Sequence, residues 1–385
     1  MNTLNGAFRV TLFASALLVV QILLGTGPVE LAEARSAALD KLIKAAKAEG
    51  GTFIAHSVLQ DVRARREVEA AMERMYGFKV KWDYLSAPSQ NRFSARLMKE
   101  LKAGRPPSTD VFNGTQATIP RLMKAKALQS VDNWQELVPR LPKDVIVPGG
   151  GAIPEHTRIG GFAYNTNLVP ANKVPTKLEH LLDPFWKKKL ASTTYAAVWD
   201  RASIGADGTF DTEKAARIRD LLKKLVDKGN IVGLIGCGNE ALNRIATGEF
   251  AALALICSDN GVRVFQKKGA PVEIAYLDET SNITHSYMGL IKNAKYTNMA
   301  KLFMVFMQTP EGQALNRKWD SADTSFYPEN LMYKAVKGLE ARGVTPPYID
   351  IPTYMKVKPE VEEWKGTYKK ILRDPRYFRS KKRKK

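Results

Sequence analysis

Cysteine and histidine are scarce in this chain: two and four residues, respectively, out of 385. His56, His156, His180 and His285 do not form a His-Glu-x-x-His helix, and Cys237 and Cys257 lack zinc or cluster spacing. Gly-x-Ser-x-Gly is absent as well, so a nucleophile-elbow hydrolase is excluded. With no catalytic or metal motif, the expectation is a non-enzyme that needs no cofactor. Long apolar runs are also lacking, with one exception. Val10 to Leu24 follows a weakly basic lead, is too short for a membrane span, and is broken by Gly25-Thr26-Gly27-Pro28. Ala32-Glu33-Ala34 then presents small residues where a signal peptidase reads. Export to the periplasm with cleavage near Ala34 is expected, an uncleaved anchor being the alternative. No cysteine directly follows the run, which speaks against a lipid anchor.

Acidic residues are outnumbered, 39 against 59 lysines and arginines, for a net charge of +20. Much of the excess sits in the C-terminal "KKILRDPRYFRSKKRKK", which is too charged to bury and reads as a solvated end. No aromatic-basic module accompanies it, so nucleic acid is not an expected partner; an anionic membrane surface suits it better. The two cysteines stand either as one bridge in an oxidising compartment or as two buried thiols.

Between the two ends, helical and strand patterns alternate. Leu39, Leu42, Ile43 and Ala46 line one face of a helix over 36–49, closed by Gly50-Gly51. "TFIA" reads as a buried strand, 61–76 as a helix, and "FKVKWDYL" as a strand with one wet face. A helix over 90–103, the strand "TDVF" and a helix over 115–127 follow. A second alternating block holds "KLASTTYAAV", a helix over 212–228, "NIVGLIG", a helix over 239–247, "FAALALIC" and "APVEIAYL". The alternation predicts an α/β protein with mostly parallel sheets, in which ligands gather where strands hand over to helices.

Four segments in this order resemble the bacterial extracellular solute-binding proteins of ABC importers, in the branch that includes the ferric-iron-binding proteins. They are "LIKAAKAEGGTFIAHS", "GGFAYNTNLVPANKVPTKLEHLLDPFWKKKLA", "NRIATGEFAALALICSDN" and "GLIKNAKYTNMAKLFMVFMQTPEGQAL". The resemblance implies a two-lobed, type II periplasmic-binding-protein-like fold, each lobe a mixed, mostly parallel sheet flanked by helices. The expected division is a leader over 1–34, the first lobe over 35–150 and 278–345, the second over 151–277, and an extension with the basic tail over 346–385. It also implies a small-molecule solute, a permease of the inner membrane as partner, and a monomer. On this reading the Tyr164-Asn165 strand enters the second lobe, the prolines set the next helix, and Asp183-Pro184-Phe185-Trp186 packs an aromatic corner.

Such a receptor needs preorganised donors at helix starts, where unpaired N–H groups and the helix dipole favour anions. The candidates are His56 and Ser57 after the first strand, Asn113, Gly114 and Thr115 after the third, and Gly238 and Asn239 opening a helix that Asn239 would cap. Ser258, Asp259 and Asn260 stand where the resemblance places the adjacent tyrosines of iron-binding members. No Tyr-Tyr pair occurs in the chain, which turns the expectation from bare ferric ion toward a polar, anionic organic solute. Arg201 would grip a carboxylate, and Tyr287 would close the cleft from the first lobe. Each group also has a plain reading as turn, cap or core chemistry. A ferric-iron or metal-chelate binding protein and a solute sensor subunit for a membrane kinase are the alternatives.

Overall fold

The computed structural model describes residues 35–373 apart from 58, 87–88, 194–196 and 279. The expected leader over 1–34 and the end of the basic tail lie outside the described residues. Eleven strands are assigned: β1 Thr52–His56, β2 Lys81–Tyr84, β3 Val111–Thr115, β4 Ala152–Ile159, β5 Phe162–Asn165, β6 Leu190–Thr193, β7 Ile231–Ile235, β8 Ala252–Leu253, β9 Val272–Ala275, β10 Ile283–Leu290 and β11 Tyr348–Ile349.

They form two mixed sheets. The first runs β11-β10-β3-β1-β2, with β4 also paired to β10; the second runs β7-β6-β8-β5-β9. In the first, β1 is parallel to β2 and β3, and β10 is antiparallel to β3 and β4. In the second, β6 is parallel to β7 and β8, and β5 is antiparallel to β8 and β9. Parallel neighbours need helical crossovers, so each sheet is flanked by helices and forms one lobe.

Among the described residues, the chain passes between the two sheets twice before the C-terminal helix spans them again. β4 belongs to the first sheet, so the outward crossing falls at Gly160-Gly161 rather than at residue 151. The return lies between β9 and β10, and the two crossings touch: Gly160 N–H donates to Asn282 O at 2.8 Å. A Cβ on Gly161 would come within 2.8 Å of the Ala275 carbonyl oxygen, so only glycine fits that close approach.

Local rules explain the helices. Ser36, Asp61 and Asp211 cap Ala37–Ala48, Val62–Tyr76 and Thr212–Asp227 by accepting from Leu39, Arg63 and Lys214 N–H. Phe53, Trp82 and Phe303 pack ring on ring in the first core. Phe162, Trp186, Trp199 and Leu222 fill the second. Trp186 comes from the Asp183 corner, where Asp183 Oδ1 accepts the Phe185 N–H at 2.7 Å. Two expected elements are shorter. The helix over 115–127 reduces to Ile119–Lys124, because Thr115 to Thr118 close a turn through the Thr118 hydroxyl. The strand over 250–257 pairs regularly only at Ala252–Leu253.

The extension is built into both lobes. Helix Ile351–Leu372 starts with Ile351 in the core beside Phe112 and Tyr287, and ends with Tyr368 and Leu372 in the second lobe's core. The Tyr368 hydroxyl lies 2.9 Å from Ser203 Oγ and 3.1 Å from the Ala215 carbonyl oxygen. Among the described residues, no helix is long and apolar enough to cross a membrane.

Candidate functional site

The site begins with an unusual strand. All residues of β4 except Arg158 are buried, yet it carries Glu155, His156 and Arg158. Residues two apart on a strand share a face. Arg158 Nε accordingly donates to His156 Nε2 at 3.1 Å, and Arg158 Nη2 donates to Ser286 Oγ at 2.7 Å. That geometry requires a neutral His156, and burial first, then the charges of Arg158, His285 and Arg263, hold its pKa well below 6.5. Burial also lowers the Arg158 pKa. Among the described residues no carboxylate comes within ion-pair distance of Arg158.

Beside this arginine, two acids are held back from ionising. Glu155 is pushed up to about 7 by burial and secondarily by Asp320, against the opposing pull of Ser57, Arg158 and Asn113. Ser57 Oγ donates to Glu155 Oε1 at 3.0 Å, and Asn113 Nδ2 donates to Glu155 Oε2. Asp320 is pushed up to about 7 by burial, against Arg158, Asn260, Arg263 and Lys267.

His156, Arg158 and Asp320 open onto a cavity of about 600 Å³, within the size range of small-molecule sites. Leu59 to Ala64 and Lys318 to Ser321 wall it from the first lobe, Cys237 to Leu242 and Ile256 to Lys268 from the second. One second-lobe helix, Asn260–Lys267, clamps it to the first lobe. Asn260 Nδ2 donates to Asp320 Oδ2 at 3.0 Å, and Arg263 Nε to Ser321 O at 3.1 Å. Lys267 Nζ reaches the Arg317 and Lys318 carbonyls at the negative end of helix Pro310–Asp320. Asp259, fully buried at the head of the clamp, accepts from Ile159 N–H at 3.0 Å, Arg263 Nη2 at 2.9 Å and Tyr276 OH at 2.9 Å.

The residues singled out in the sequence divide into three groups. Gly238, Asn239, Ser258 and Asn260 line the cavity, with Asp259 behind them. Asn239 does not cap its helix: Gly238, with φ 140°, is the N-cap residue, and no side-chain cap bond forms. Cys237 and Cys257, also on the wall, are joined in a disulfide with Cα atoms 5.8 Å apart, which closes the choice between bridge and thiols. Ser57 and Asn113 form the second group, turned inward to hold Glu155. The third group lies in packing or apart from the cavity. His56 packs against Phe93 and Phe112, and burial lowers its pKa to about 4. Gly114 sits in β3, where a Cβ would press on Ile119 and Phe112; Thr115 serves its turn. Tyr287 is 1% exposed in the first lobe's core. Arg201, on helix Ala197–Ala202, has no ion pair among the described residues, and burial lowers its pKa to about 10.

Sequence reasoning missed Glu155, His156, Arg158, Arg263 and Asp320. The signal for the first three was readable: charges in "AIPEHTRI", a stretch otherwise fit for a buried strand. Among the described residues no group of His, Cys, Asp and Glu is placed to hold a metal ion, and no tyrosine lines the cavity.

Two sheet-bearing lobes joined by touching crossovers, with a small-molecule cavity at the junction, are the architecture of a type II periplasmic-binding protein. The chain belongs to the bacterial extracellular solute-binding protein family, whose model matches residues 68–335. Solved structures with the same fold include iron-bound HitA from Pseudomonas aeruginosa (17% identity, TM-score 0.62, covering 82% of this chain and 99% of that one). Another is the substrate-binding protein of an ABC transporter from Agrobacterium tumefaciens (14%, 0.63, 83% and 96%). A third is the spermidine/putrescine ABC transporter protein PotD from Streptococcus pneumoniae (16%, 0.60, 84% and 99%). No curated protein matches the chain in sequence.

Proposed function

We propose that this solute-binding protein is the exported receptor of an ABC-type importer, that it captures a small anionic solute in the interlobe cavity, and that it hands the solute unchanged to an inner-membrane permease. The observation that carries the anionic reading is Arg158, a guanidinium at the cavity floor with no ion-pair partner among the described residues. A half-buried charge without an ion-pair partner is costly, and an incoming carboxylate, phosphate or phosphonate would relieve that cost. The rest of the lining points the same way: Arg63, Lys267, Lys268 and Lys318 outnumber Asp61 and Asp320. Gly238, Asn239, Ser258 and Asn260 would supply polar contacts from the second lobe, while Ser57, Asn113 and Glu155 hold the arginine's surroundings in place. Two-phenolate capture of bare ferric ion does not suit this lining.

The test is a thermal-shift screen of carboxylates, phosphates, phosphonates and amines, followed by calorimetry on Arg158→Met. Charge-assisted hydrogen bonds contribute about 1.5–3 kcal/mol each, so losing two should weaken binding of the selected anion at least about a hundredfold. Selection of amines alone, or an Arg158→Met affinity equal to that of the parent, would overturn the reading.

A further inference from the structure

Helix Gln90–Lys102 carries Arg92, Arg96 and Lys99 at i, i+4 and i+7, a spacing that puts them on one face over a helix about 20 Å long. These three line a surface groove with Arg105, and Lys102, Lys126 and Lys292 line the adjoining one. Arg121 joins the same surface, its Nη1 donating to Asn91 Oδ1 at 3.0 Å, and Lys124 lies on the same short helix. From Gln90 to Lys126 the sequence has eight basic residues, all exposed, and only two acids, both buried: Glu100 at 9% and Asp110 at 0%. Arg92, Lys99, Lys102, Arg105, Lys124, Lys126 and Lys292 have no ion pair or side-chain hydrogen bond among the described residues. This face belongs to the first lobe and takes no part in the cavity.

We infer that this face is a docking surface for an anionic phospholipid bilayer. A protein partner is normally anchored by apolar or aromatic residues at the centre of its interface, and a nucleic acid strand by stacking aromatics. Among the described residues, the exposed large apolar side chains are Val62, Leu168, Val232, Tyr348 and Met355, and none of them lies in this segment. A broad field of unpaired ammonium and guanidinium groups without an anchor matches a layer of phosphate headgroups, whose attraction for basic residues is additive and needs no shape complementarity. An extracellular solute-binding protein held at the membrane in this way would search for its permease in two dimensions.

The experiment is co-sedimentation of the purified protein with vesicles of phosphatidylglycerol mixed with phosphatidylcholine, and of phosphatidylcholine alone, at low and high salt. Binding is expected to the anionic vesicles only, and to fall with salt as the charges are screened. Substituting Arg92→Gln, Lys99→Gln, Lys102→Gln and Arg105→Gln together should cut binding about six-hundredfold, since each cation is worth about fivefold. The melting temperature and solute affinity should stay as in the parent. Substituting Lys381, Lys382, Arg383, Lys384 and Lys385 by glutamine separates the basic tail from the face. Full binding by the four-residue variant, equal binding to neutral vesicles, no vesicle binding, or tighter capture of a single-stranded oligonucleotide would each overturn the inference.

Discussion

Replacing Glu155 by glutamine should change how stability depends on pH, and by a calculable amount. Burial raises the carboxyl from its ordinary 4.5 to about 7. The unfolded chain therefore releases this proton near pH 4.5 and the folded chain near pH 7. Between those values the folded state binds more protons, so stability falls as pH rises, by about 3 kcal/mol across the window, and levels off above it. Glu155→Gln has no proton to lose and lacks this slope. Three histidines work in the opposite direction: His56 at about 4, His285 at about 3 and His156, also lowered, gain stability as pH rises toward 6.5. Parent and variant share them, so they cancel in the difference. Urea unfolding at a series of pH values from 5 to 8 should show the variant gaining on the parent by about 2.5 kcal/mol, whatever constant offset the altered contacts to Ser57 and Asn113 add. A difference that stays flat with pH would mean that Arg158 holds Glu155 ionised throughout, and the electrostatic account of the cavity floor would fail.

Cys237→Ser with Cys257→Ser opens a loop of sequence separation 20 and should cost about 3 kcal/mol in urea unfolding, with a comparable loss on reducing the parent. Because both cysteines line the cavity, solute affinity should fall in the same variant; an unchanged affinity would assign the bridge to stability alone. Asp259→Asn keeps an acceptor for the Ile159 N–H but leaves Arg263 without its carboxylate, and breaking a buried pair costs about 3–5 kcal/mol. A loss below about 1 kcal/mol by chemical denaturation would show that the clamp is held by Asn260 and Lys267 instead.

Much of the fold was legible because its causes are local. Helix periods, the Ser36, Asp61 and Asp211 caps, and the strand runs all lie within a few residues of one another, and their alternation leads to α/β lobes. The cavity wall was partly legible for the same reason: Gly238, Ser258 and Asn260 sit at turns between strand and helix. The cavity floor was not. Ser57 meets Glu155 across 98 residues and Asn113 meets Ser286 across 173, and no sequence pattern records which polar side chain turns inward.

What the chain determined by itself was two alternating blocks with a basic excess, since apolar period and charge are properties of neighbours in sequence. Tertiary structure alone decided that β4 stays in the first sheet, that Tyr287 is core rather than lid, that the cysteines meet, and that Arg158, with no ion pair among the described residues, stands beside two acids poised near neutrality. Those outcomes depend on which distant groups share a desolvated space, and burial and Coulomb energy act through distance in space rather than along the chain.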